Sequence, residues 1–347
     1  MSRILIIDPQ FETDADIEQE VAGPDIEFEI ERPGTNDVCG EALGRADAVV
    51  NCRSRHKLPA DLVAQMDKTK VVVQAGVGFD HIDIDACAQK GIPVCNTPDY
   101  GTMEVADHTI ALTLGLVRAV TTYNNRLLIR DDAWNTLALP VRPVRRLLKQ
   151  VFGVVGLGRI GLATALRARA LEMEILFYDP FLPAGFELSL GIRRAPDLES
   201  LLSQADIVSL HCPLTPRTDR LINRETLGQM KDNAILINTS RGGVVDLDAL
   251  HWALAENKLC AAALDVLQNE PLDRSHPLIE AWSKSEPWLE GRLLLTPHAA
   301  FFTPESLQDM RRLSMLAAVK FLRDGTLRSC VNRKQLLKHG FSSFDLK

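Results

Sequence analysis

Arg241, Glu270 and His298 place a cation, a carboxylate and an imidazole in the second half of the sequence. Arginine is planar and always charged, so it can hold a carboxylate through two hydrogen bonds and polarise a neighbouring carbonyl. Imidazole exchanges protons near neutral pH, and a carboxylate partner favours its protonated form and fixes its tautomer. The triplet therefore fits hydride transfer to a 2-oxo acid, with Arg241 as substrate anchor, His298 as acid/base and Glu270 as its partner.

Taken singly, each of the three residues has an ordinary structural alternative. Arg241 could form a surface salt bridge, Glu270 could be a solvated acid before a proline, and His298 could lie at a helix entry. Their positions favour the chemical interpretation, because Arg241 and Glu270 follow predicted strand ends and His298 lies just past a third. Ligands of open α/β sheets bind at such ends.

A glycine-rich turn upstream predicts the cofactor. Gly156, Gly158 and Gly161 follow an apolar strand and open a helix, where glycines permit a tight turn, close approach of a pyrophosphate and close helix–strand packing. Asp179, after the next strand, is placed to accept hydrogen bonds from an adenosine ribose and to repel a 2′-phosphate. No arginine adjoins Asp179 in the sequence, so NAD is predicted rather than NADP. The alternative for Asp179 is a turn residue before a proline.

Short apolar runs alternate with helical stretches along the chain, which is typical of parallel sheets covered by helices. We predict the α/β fold class, with two Rossmann-like or flavodoxin-like domains. A discontinuous substrate domain would comprise residues 1–98 and 305–347, and an NAD-binding domain residues 99–304. The predicted strands are Ile4–Ile7, Ala48–Asn51, Val71–Gln74, Pro93–Asn96, Val151–Val155, Glu174–Tyr178, Ile207–His211, Ala234–Asn238, Ala261–Asp265 and Leu293–Thr296.

Two helices stand out between and after these strands. From residue 102 onward, apolar residues recur at spacings of three and four, which predicts an amphipathic helix with one buried face. This stripe consists of Met103, Ala106, Ile110, Leu114 and Val117. A final helix is predicted from about Pro304 to Arg323, after which the chain would belong to the first domain.

Composition argues against several classes of function. A net charge of −7 without a long basic run disfavours nucleic acid as a partner. No apolar run approaches the ~18 residues of a membrane span, so a cytoplasmic location is expected. Seven cysteines without C-x-x-C spacing predict reduced, mostly structural thiols. His211 and Cys212 lack further ligands at usable spacing, so no metal is predicted. The basic stretch 141–150 is interpreted as a surface connection.

Longer strings around these residues resemble the D-isomer-specific 2-hydroxyacid dehydrogenase family, and nearly the whole chain takes part. The strings that carry the resemblance are Asn238–Gly243, Ala263–Pro271, Thr296–Ala300, Gly76–Asp83 and Glu104–Thr109. The resemblance implies a two-domain enzyme with its site in the interdomain cleft. It also implies a hinge that closes on cofactor binding and a homodimer built largely through the helix from Thr102 to Val117.

The resemblance further implies site residues. Substrate contacts are implied for the backbone of Gly76, Val77 and Gly78 in addition to Arg241 and His298. Arg53, at a predicted strand end, would supply a second cation or else lie on the surface. Asp265 is implied to contact the nicotinamide carboxamide. Besides Arg241, His298 and the glycine turn, the cofactor contacts implied are Val77, Thr109, Arg159, Ile160, His211, Cys212, Pro213, Thr218, Thr239, Ser240 and Ala300.

Within the family, the C-terminal half is most similar to the C-terminal binding proteins, which are NAD-dependent corepressors that retain a dehydrogenase site. Phe177–Pro180, Pro297–Ala300 and Cys330–Asn332 carry this likeness. Phe301 and Gln74 depart from it, because those proteins have a tryptophan and an arginine there. We expect an NAD-dependent oxidoreductase that interconverts a D-2-hydroxy acid and its 2-oxo acid. The alternative is a dinucleotide-sensing scaffold whose NAD state controls dimerisation and partner binding, with incidental turnover.

Overall fold

The computed structural model describes residues 1–11, 14–33, 40–135, 137–139 and 144–341. The chain forms two compact units, one of Met1–Gly101 with Phe302–Lys347 and the other of Thr102–Phe301. The sequence prediction puts the domain boundaries after residues 98 and 304, and these bounds stay a prediction. The first unit is thus discontinuous in sequence, whereas the second is a single segment.

In the described part of the first unit, five parallel strands form one sheet with the order β2-β1-β3-β4-β5 when the strands are numbered along the chain. The central strands consist of apolar residues buried on both faces, as expected for a parallel sheet covered by helices. The strands are β1 (Ser2–Ile7), β2 (Ile26–Glu31), β3 (Ala48–Asn51), β4 (Val71–Gln74) and β5 (Val94–Cys95).

The described part of the second unit contains a sheet of seven parallel strands, ordered β12-β11-β10-β9-β6-β7-β8. Its strands are β6 (Val151–Val155), β7 (Glu174–Tyr178), β8 (Arg193–Arg194), β9 (Ile207–Leu210), β10 (Ile235–Asn238), β11 (Ala261–Leu264) and β12 (Leu293–Leu295). Two parallel sheets with alternating helices confirm the predicted α/β fold class.

The connections between strands are mostly helical. Along the described residues the helices are α1 (Asp16–Ala22), α2 (Gly40–Arg45), α3 (Ala60–Ala64), α4 (Ile84–Gln89), α5 (Thr102–Val117), α6 (Val120–Ile129), α7 (Arg159–Ala170), α8 (Phe186–Leu190), α9 (Leu198–Gln204), α10 (Arg224–Gln229), α11 (Leu247–Ala255), α12 (Pro277–Ser283), α13 (Pro304–Asp324) and α14 (Arg333–Lys338). Short 3-10 helices lie at Asp131–Trp134, Gly242–Val244 and Pro287–Leu289.

Most predicted strands coincide with observed ones, but two observed strands are missing from the prediction. Strand β2 is an edge strand in which glutamates alternate with apolar residues, and β8 consists of two arginines. Neither is a continuous apolar run. Several predicted strands also extend one residue too far, because His211, Asp265 and Thr296 follow the ends of β9, β11 and β12.

Helix α5 has the predicted bounds, but its buried face differs from the predicted stripe. Met103 is 57% exposed, whereas Val105, Leu112 and Leu116 are buried. The buried face also contains Thr109 and Thr113, whose hydroxyls donate to the carbonyls four residues earlier, at 2.7 and 2.8 Å. These bonds remove the cost of burying a hydroxyl. The predicted stripe therefore covers only part of the buried face, since Ala106 and Val117 are buried while Met103 is exposed.

Some sequence interpretations lie outside the described residues. They concern Cys39 and the first part of the basic stretch, residues 141–143. Among the helices that are described, none is both long and apolar enough to cross a bilayer.

Helix α13 completes the first unit by packing on α1, β3 and β4. Arg311 on this helix forms two hydrogen bonds with the buried carboxylate of Glu18 on α1, at 2.9 and 2.6 Å. The Arg311 side chain is itself 14% exposed, and that of Glu18 is 5% exposed. The next residue, Arg312, pairs instead with Glu20 on the exposed surface. Arg311 also pairs with Asp16 at 2.6 Å and lies over the ring of Phe11, so the two neighbouring arginines differ in both the burial and the number of their partners.

We expect Arg311→Met to destabilise the first unit by about 3 kcal/mol, since removing one partner leaves the carboxylate of Glu18 buried without compensation. Arg312→Met is the matched control and should leave the urea midpoint unchanged, because exposed pairs contribute little. Urea unfolding followed by circular dichroism measures both variants. Equal shifts of the midpoint in the two variants would contradict this account.

Candidate active site

Arg241 follows β10 in a loop that is organised by Asn238, the last residue of that strand. The buried Asn238 side chain accepts hydrogen bonds from the amide and the hydroxyl of Ser240, at 3.0 and 2.8 Å. Its amide group donates to the carbonyl of Arg241 at 2.9 Å. The guanidinium of Arg241 in turn donates to the carbonyl of Ser240 at 2.8 Å. The backbone of Arg241 is thus fixed relative to the sheet.

Gly242 brings this loop into contact with the loop that follows β11. A Cβ atom at residue 242 would overlap the carbonyl of Leu267 and the amide nitrogen of Gln268. The amide of Leu267 donates to Oε1 of Glu270 at 3.0 Å. The absence of a side chain at Gly242 therefore permits the close approach of the loops that carry Arg241 and Glu270.

His298 and Glu270 form the predicted pair. Nδ1 of His298 lies 2.8 Å from Oε2 of Glu270, and both side chains are about one-third exposed, at 33% and 37%. His298 has a left-handed backbone with φ of +54°, which is uncommon for a residue other than glycine. Its amide donates to the carbonyl of Asp265 at 2.8 Å. The ring of Phe301 packs edge-on against the imidazole, with 6.2 Å between ring centroids.

The electrostatics of Glu270 connect all three residues of the triplet. Burial acts to raise the pKa of its carboxyl, but the hydrogen bond and charge of His298, the Leu267 amide and the charge of Arg241 together hold the pKa below the ordinary 4.5. Glu270 is therefore ionised at neutral pH. The ionised carboxylate of Glu270 stabilises the fold at pH values above its ordinary pKa. This stabilisation is lost as the pH falls through the lowered pKa of the folded state.

Asp265 has a structural role that the sequence did not reveal. Its buried carboxylate accepts from the hydroxyl of Thr296 at 2.6 Å and from the amides of Ala299 and Ala300 at 2.9 and 3.0 Å. Nε2 of His108, on α5, lies 3.1 Å from the same Thr296 hydroxyl oxygen. Asp265 thus fixes the loop on both sides of His298. The predicted carboxamide contact of Asp265 stays a prediction.

The glycine turn has the geometry required to bind a dinucleotide. Gly156 has φ of +90°, and a Cβ there would lie 3.0 Å from backbone atoms of His211 and Cys212. A Cβ at Gly161 would overlap the carbonyl oxygen of Gly156, whereas nothing lies within 4 Å of a Cβ at Gly158. The turn is therefore closely packed at its first and third glycines and open at its second. Arg159 and Ile160 begin α7 beside this open position.

Asp179 stabilises the same turn from the end of β7. Its carboxylate accepts from the amide of Leu157 at 3.0 Å and from the amide of Phe181 at 2.9 Å. The structure also corrects one sequence inference, because Arg194 from β8 donates to the carbonyl of Asp179 at 3.3 Å. Arg194 additionally pairs with Glu187 at 2.9 Å. An arginine is therefore close to Asp179 in space, although none adjoins it in the sequence.

The other residues predicted to contact the cofactor lie either in surface loops or at buried positions that support these loops. Thr109 is fully buried, and its hydroxyl lies 2.9 Å from that of Thr239. Thr109 is thus placed to support Thr239, and the cofactor contact predicted for Thr109 stays a prediction. The hydroxyl of Thr218 donates to the carbonyl of Pro213 at 2.6 Å and closes the loop after β9.

The residues that begin this loop are both poorly ionisable. Desolvation lowers the pKa of His211 to about 3, and its Nε2 lies 2.8 Å from the hydroxyl of Ser209. Burial raises the pKa of Cys212 to about 11. A neutral imidazole and a protonated thiol fit a packing role beside the glycine turn. The described residues contain no cluster of His, Cys, Asp or Glu that could hold a metal ion.

The predicted substrate residues of the first unit follow β3 and β4. The carbonyl of Gly76 accepts from the amide of Thr97 at 2.9 Å, and the carbonyl of Val77 accepts from the side chain of Asn96 at 2.7 Å. Within the described residues, the amides of Val77 and Gly78 donate to no protein acceptor. Two amides are therefore available for an anion.

Arg53, the other candidate in this unit, lies 3.4 Å from the buried carboxylate of Asp8, and its side chain is 43% exposed. The same carboxylate also accepts from Arg55 at 2.6 Å. Arg53 is thus a surface residue that an ion pair holds at the strand end. This position fits both of the roles that the sequence left open for it.

Comparison with known proteins assigns the family. A family model described as "D-isomer specific 2-hydroxyacid dehydrogenase, NAD binding domain" matches residues 110–300. The glyoxylate reductase of Thermofilum pendens is 38% identical over 288 residues, which are 83% of this chain and 81% of that protein. The chain belongs to this family. NAD is accordingly its cofactor, and the resemblance recognised in the sequence is confirmed.

Other relatives of this dehydrogenase extend the comparison. The D-3-phosphoglycerate dehydrogenase of Methanocaldococcus jannaschii is 35% identical over 332 residues. The match covers 96% of this chain, which spans 60% of the length of that protein. A crystal structure of the D-lactate dehydrogenase from Aquifex aeolicus, complexed with NAD and lactic acid, is similar with a TM-score of 0.76 and 30% identity over 97% of each chain. These relatives give no support to the corepressor alternative.

A further solved structure is relevant to the choice of nucleotide. An NADPH-dependent glyoxylate/hydroxypyruvate reductase from Sinorhizobium meliloti, in complex with NADP and malonate, has a TM-score of 0.80 and is 28% identical, with coverage of 96% of this chain and 97% of that one. The same fold therefore occurs with both dinucleotides. Their discrimination must come from local residues.

We expect Gly242→Ala to lower the catalytic efficiency, kcat/KM, at least about tenfold when a 2-oxo acid is reduced. The new Cβ would push the Glu270 loop away from Arg241, and small misplacements are costly in catalysis. Gly243→Ala is the matched control, since its Cβ would meet only side-chain atoms, the nearest of which is a flexible methyl of Leu214 at 3.0 Å. Steady-state kinetics on both variants test this account, which fails if the two lose activity equally.

Proposed function

We propose that this dehydrogenase interconverts a D-2-hydroxy acid and its 2-oxo acid with NAD, as a cytoplasmic homodimer. The 2.8 Å contact between His298 and Glu270 carries the proposal, together with the charge of Arg241 acting on the same carboxylate. All three residues belong to the unit that contains the matched NAD-binding segment. Dimerisation through α5 is proposed from the family resemblance.

Bound NADH supplies the hydride for reduction, and the protein supplies the proton and the positive charge. Because Nδ1 of His298 is engaged by Glu270, Nε2 is the nitrogen that can serve the substrate. In the reductive direction Nε2 donates its proton to the developing alkoxide oxygen, and in the oxidative direction it accepts the hydroxyl proton. The carboxylate of Glu270 lies 2.8 Å from Nδ1 and orients the imidazole, so that Nε2 points away from this contact.

Arg241 is proposed to bind the carboxylate of the substrate. A guanidinium can hold a carboxylate through two hydrogen bonds, which orients the adjacent carbonyl for attack. In the first unit, the amides of Val77 and Gly78 are proposed as substrate contacts from the family resemblance, and they have no acceptor within the described residues. Arg53 is proposed as an additional cation at the strand end, since its ion pair with Asp8 leaves much of its side chain exposed.

We propose that NADH is preferred over NADPH because of Asp179. Its carboxylate lies at the end of β7 beside the glycine turn, where a 2′-phosphate would meet a negative charge. Arg194 does not offset this charge freely, because its guanidinium is bonded to Glu187 and to backbone carbonyls. The preference for NADH therefore depends on the carboxylate of Asp179, because the nearby guanidinium of Arg194 already has other hydrogen-bond partners.

Turnover across a panel of 2-oxo acids with NADH and NADPH separates this proposal from a dinucleotide-sensing scaffold. We expect at least one 2-oxo acid to be reduced with NADH, and more slowly by at least about tenfold with NADPH. Spectrophotometric oxidation of each cofactor measures both rates. Background rates throughout the panel, with NADH still binding and driving dimerisation, would support the scaffold and reject the enzyme.

We expect His298→Ala to reduce kcat by about 10²–10⁴, which is the usual contribution of a positioned acid or base. The Kd for NADH should stay within about twofold, because the glycine turn and Asp179 are untouched. His276→Ala is the matched control, since Nε2 of His276 lies 3.1 Å from Asp248 in a second histidine–carboxylate pair of the same unit. Retention of most of the activity in His298→Ala would remove this residue from the mechanism.

A further inference from the structure

Two cysteines of the first unit face each other across an antiparallel β-bridge. Cys95 ends β5, and Cys330 lies in the segment between α13 and α14. The amide of Val331 donates to the carbonyl of Val94 at 2.8 Å, and the amide of Asn96 donates to the carbonyl of Ser329 at 3.2 Å. These bonds flank the two cysteines, which therefore form a non-hydrogen-bonded pair.

This type of pair brings two side chains close together on one face. Residues in a non-hydrogen-bonded antiparallel pair have Cα atoms about 4.5 Å apart, and a disulfide requires roughly 4.4–6.8 Å. The backbone register of Cys95 and Cys330 thus already meets the main geometric requirement for a disulfide.

The two thiols differ in reactivity in the way that peroxide oxidation requires. Cys330 is partly exposed, and a hydrogen bond from Cys95 lowers its pKa to about 7. Burial opposes this shift, whereas the amides of Asn332 and Val94 and the charge of Arg333 add to it. The same bond and burial raise the pKa of Cys95, which is 1% exposed. A partly exposed cysteine whose pKa is lowered therefore lies beside a buried cysteine that can resolve its oxidation product.

The remaining described cysteines have a different environment. Cys52, Cys87, Cys212 and Cys260 all have a pKa that burial raises. Among the described residues, the pair of Cys95 and Cys330 is the one in which two cysteines share a β-bridge. These four cysteines fit the sequence prediction of reduced, mostly structural thiols.

We propose that Cys95 and Cys330 are an oxidation site that forms a reversible intrachain disulfide with peroxides. The thiolate of Cys330 attacks a peroxide oxygen, the O–O bond breaks, and a sulfenic acid forms as hydroxide leaves. Sulfur of Cys95 then attacks the sulfenic sulfur, the S–S bond forms, the S–O bond breaks, and hydroxide takes up the Cys95 proton as water. In total, two thiols lose two electrons and two protons, and hydrogen peroxide becomes two waters.

The site is connected to the loop proposed to bind substrate. Asn96, next to Cys95, donates to the carbonyl of Val77 at 2.7 Å, and the hydroxyl of Thr97 donates to the carbonyl of Gln74 at 3.0 Å. A disulfide would thus fix the segment after α13 to the strand that holds this loop. The oxidation itself does not depend on dehydrogenase activity, so its test uses no turnover.

The test is peroxide treatment of the full chain, followed by alkylation, tryptic digestion and mass spectrometry. We expect one cross-linked species joining peptide 91–118 to peptide 329–333, each of which contains a single cysteine. Two of the seven thiols should disappear in a denaturing thiol titration and return after treatment with dithiothreitol. Cys330→Ser should lose none of its thiols at the same dose, whereas the matched control Cys87→Ala should lose two.

A second variant tests the order of the steps. In Cys95→Ser, which keeps a hydrogen-bond donor at residue 95, the sulfenic acid on Cys330 has no resolving thiol, so labelling by dimedone at residue 330 should increase over the wild-type chain. The proposal is overturned if residue 330 is oxidised to sulfinic acid without the cross-linked peptide in the wild-type chain. It is also overturned if the link joins two chains, or if Cys330→Ser loses thiols as fast as the wild-type chain does.

Discussion

The carboxylate of Asp265 is the interaction on which the candidate active site depends. It lies at the end of β11 and accepts hydrogen bonds from the Thr296 hydroxyl and from the amides of Ala299 and Ala300, so it holds the following loop across two neighbouring strands. His298, in the middle of that loop, has a left-handed backbone that a non-glycine residue adopts only when its surroundings enforce it. The buried carboxylate of Asp265, with its three hydrogen-bond donors, holds the backbone in this conformation. The imidazole of His298 is therefore held in a fixed orientation relative to Glu270.

The order of strands explains why residues far apart in sequence converge. Strands β10, β11 and β12 are neighbours at one side of the second sheet, and Arg241, Glu270 and His298 follow them in that order. The glycine turn follows β6, nearer the middle of the same sheet, and Asp179 follows β7. Parallel strands bring all these loops to one edge, so the proton-transfer residues and the dinucleotide turn share that edge without any long connection.

The fold class and most strands are predictable because a strand buried on both faces is a run of apolar residues. The prediction fails for elements that are not continuous apolar runs. In the edge strand β2, glutamates alternate with apolar residues. The buried face of α5 includes threonines whose hydroxyls form hydrogen bonds within the helix. The residue types of the triplet were readable from the sequence. The bonds of Asp265 and the position of Arg194 beside Asp179 were not, since both arise from contacts between separate strand ends.

The discontinuity of the first unit has a consequence during translation. Its sheet is built from residues that precede the second unit in the chain, whereas α13, which packs on α1, β3 and β4, follows that unit. Met310, Met315 and Val319 on α13 are buried in the finished unit, so the nascent sheet exposes the apolar surface they cover until the second unit has been synthesised. The contiguous second unit meets no such delay and can fold first on the growing polypeptide.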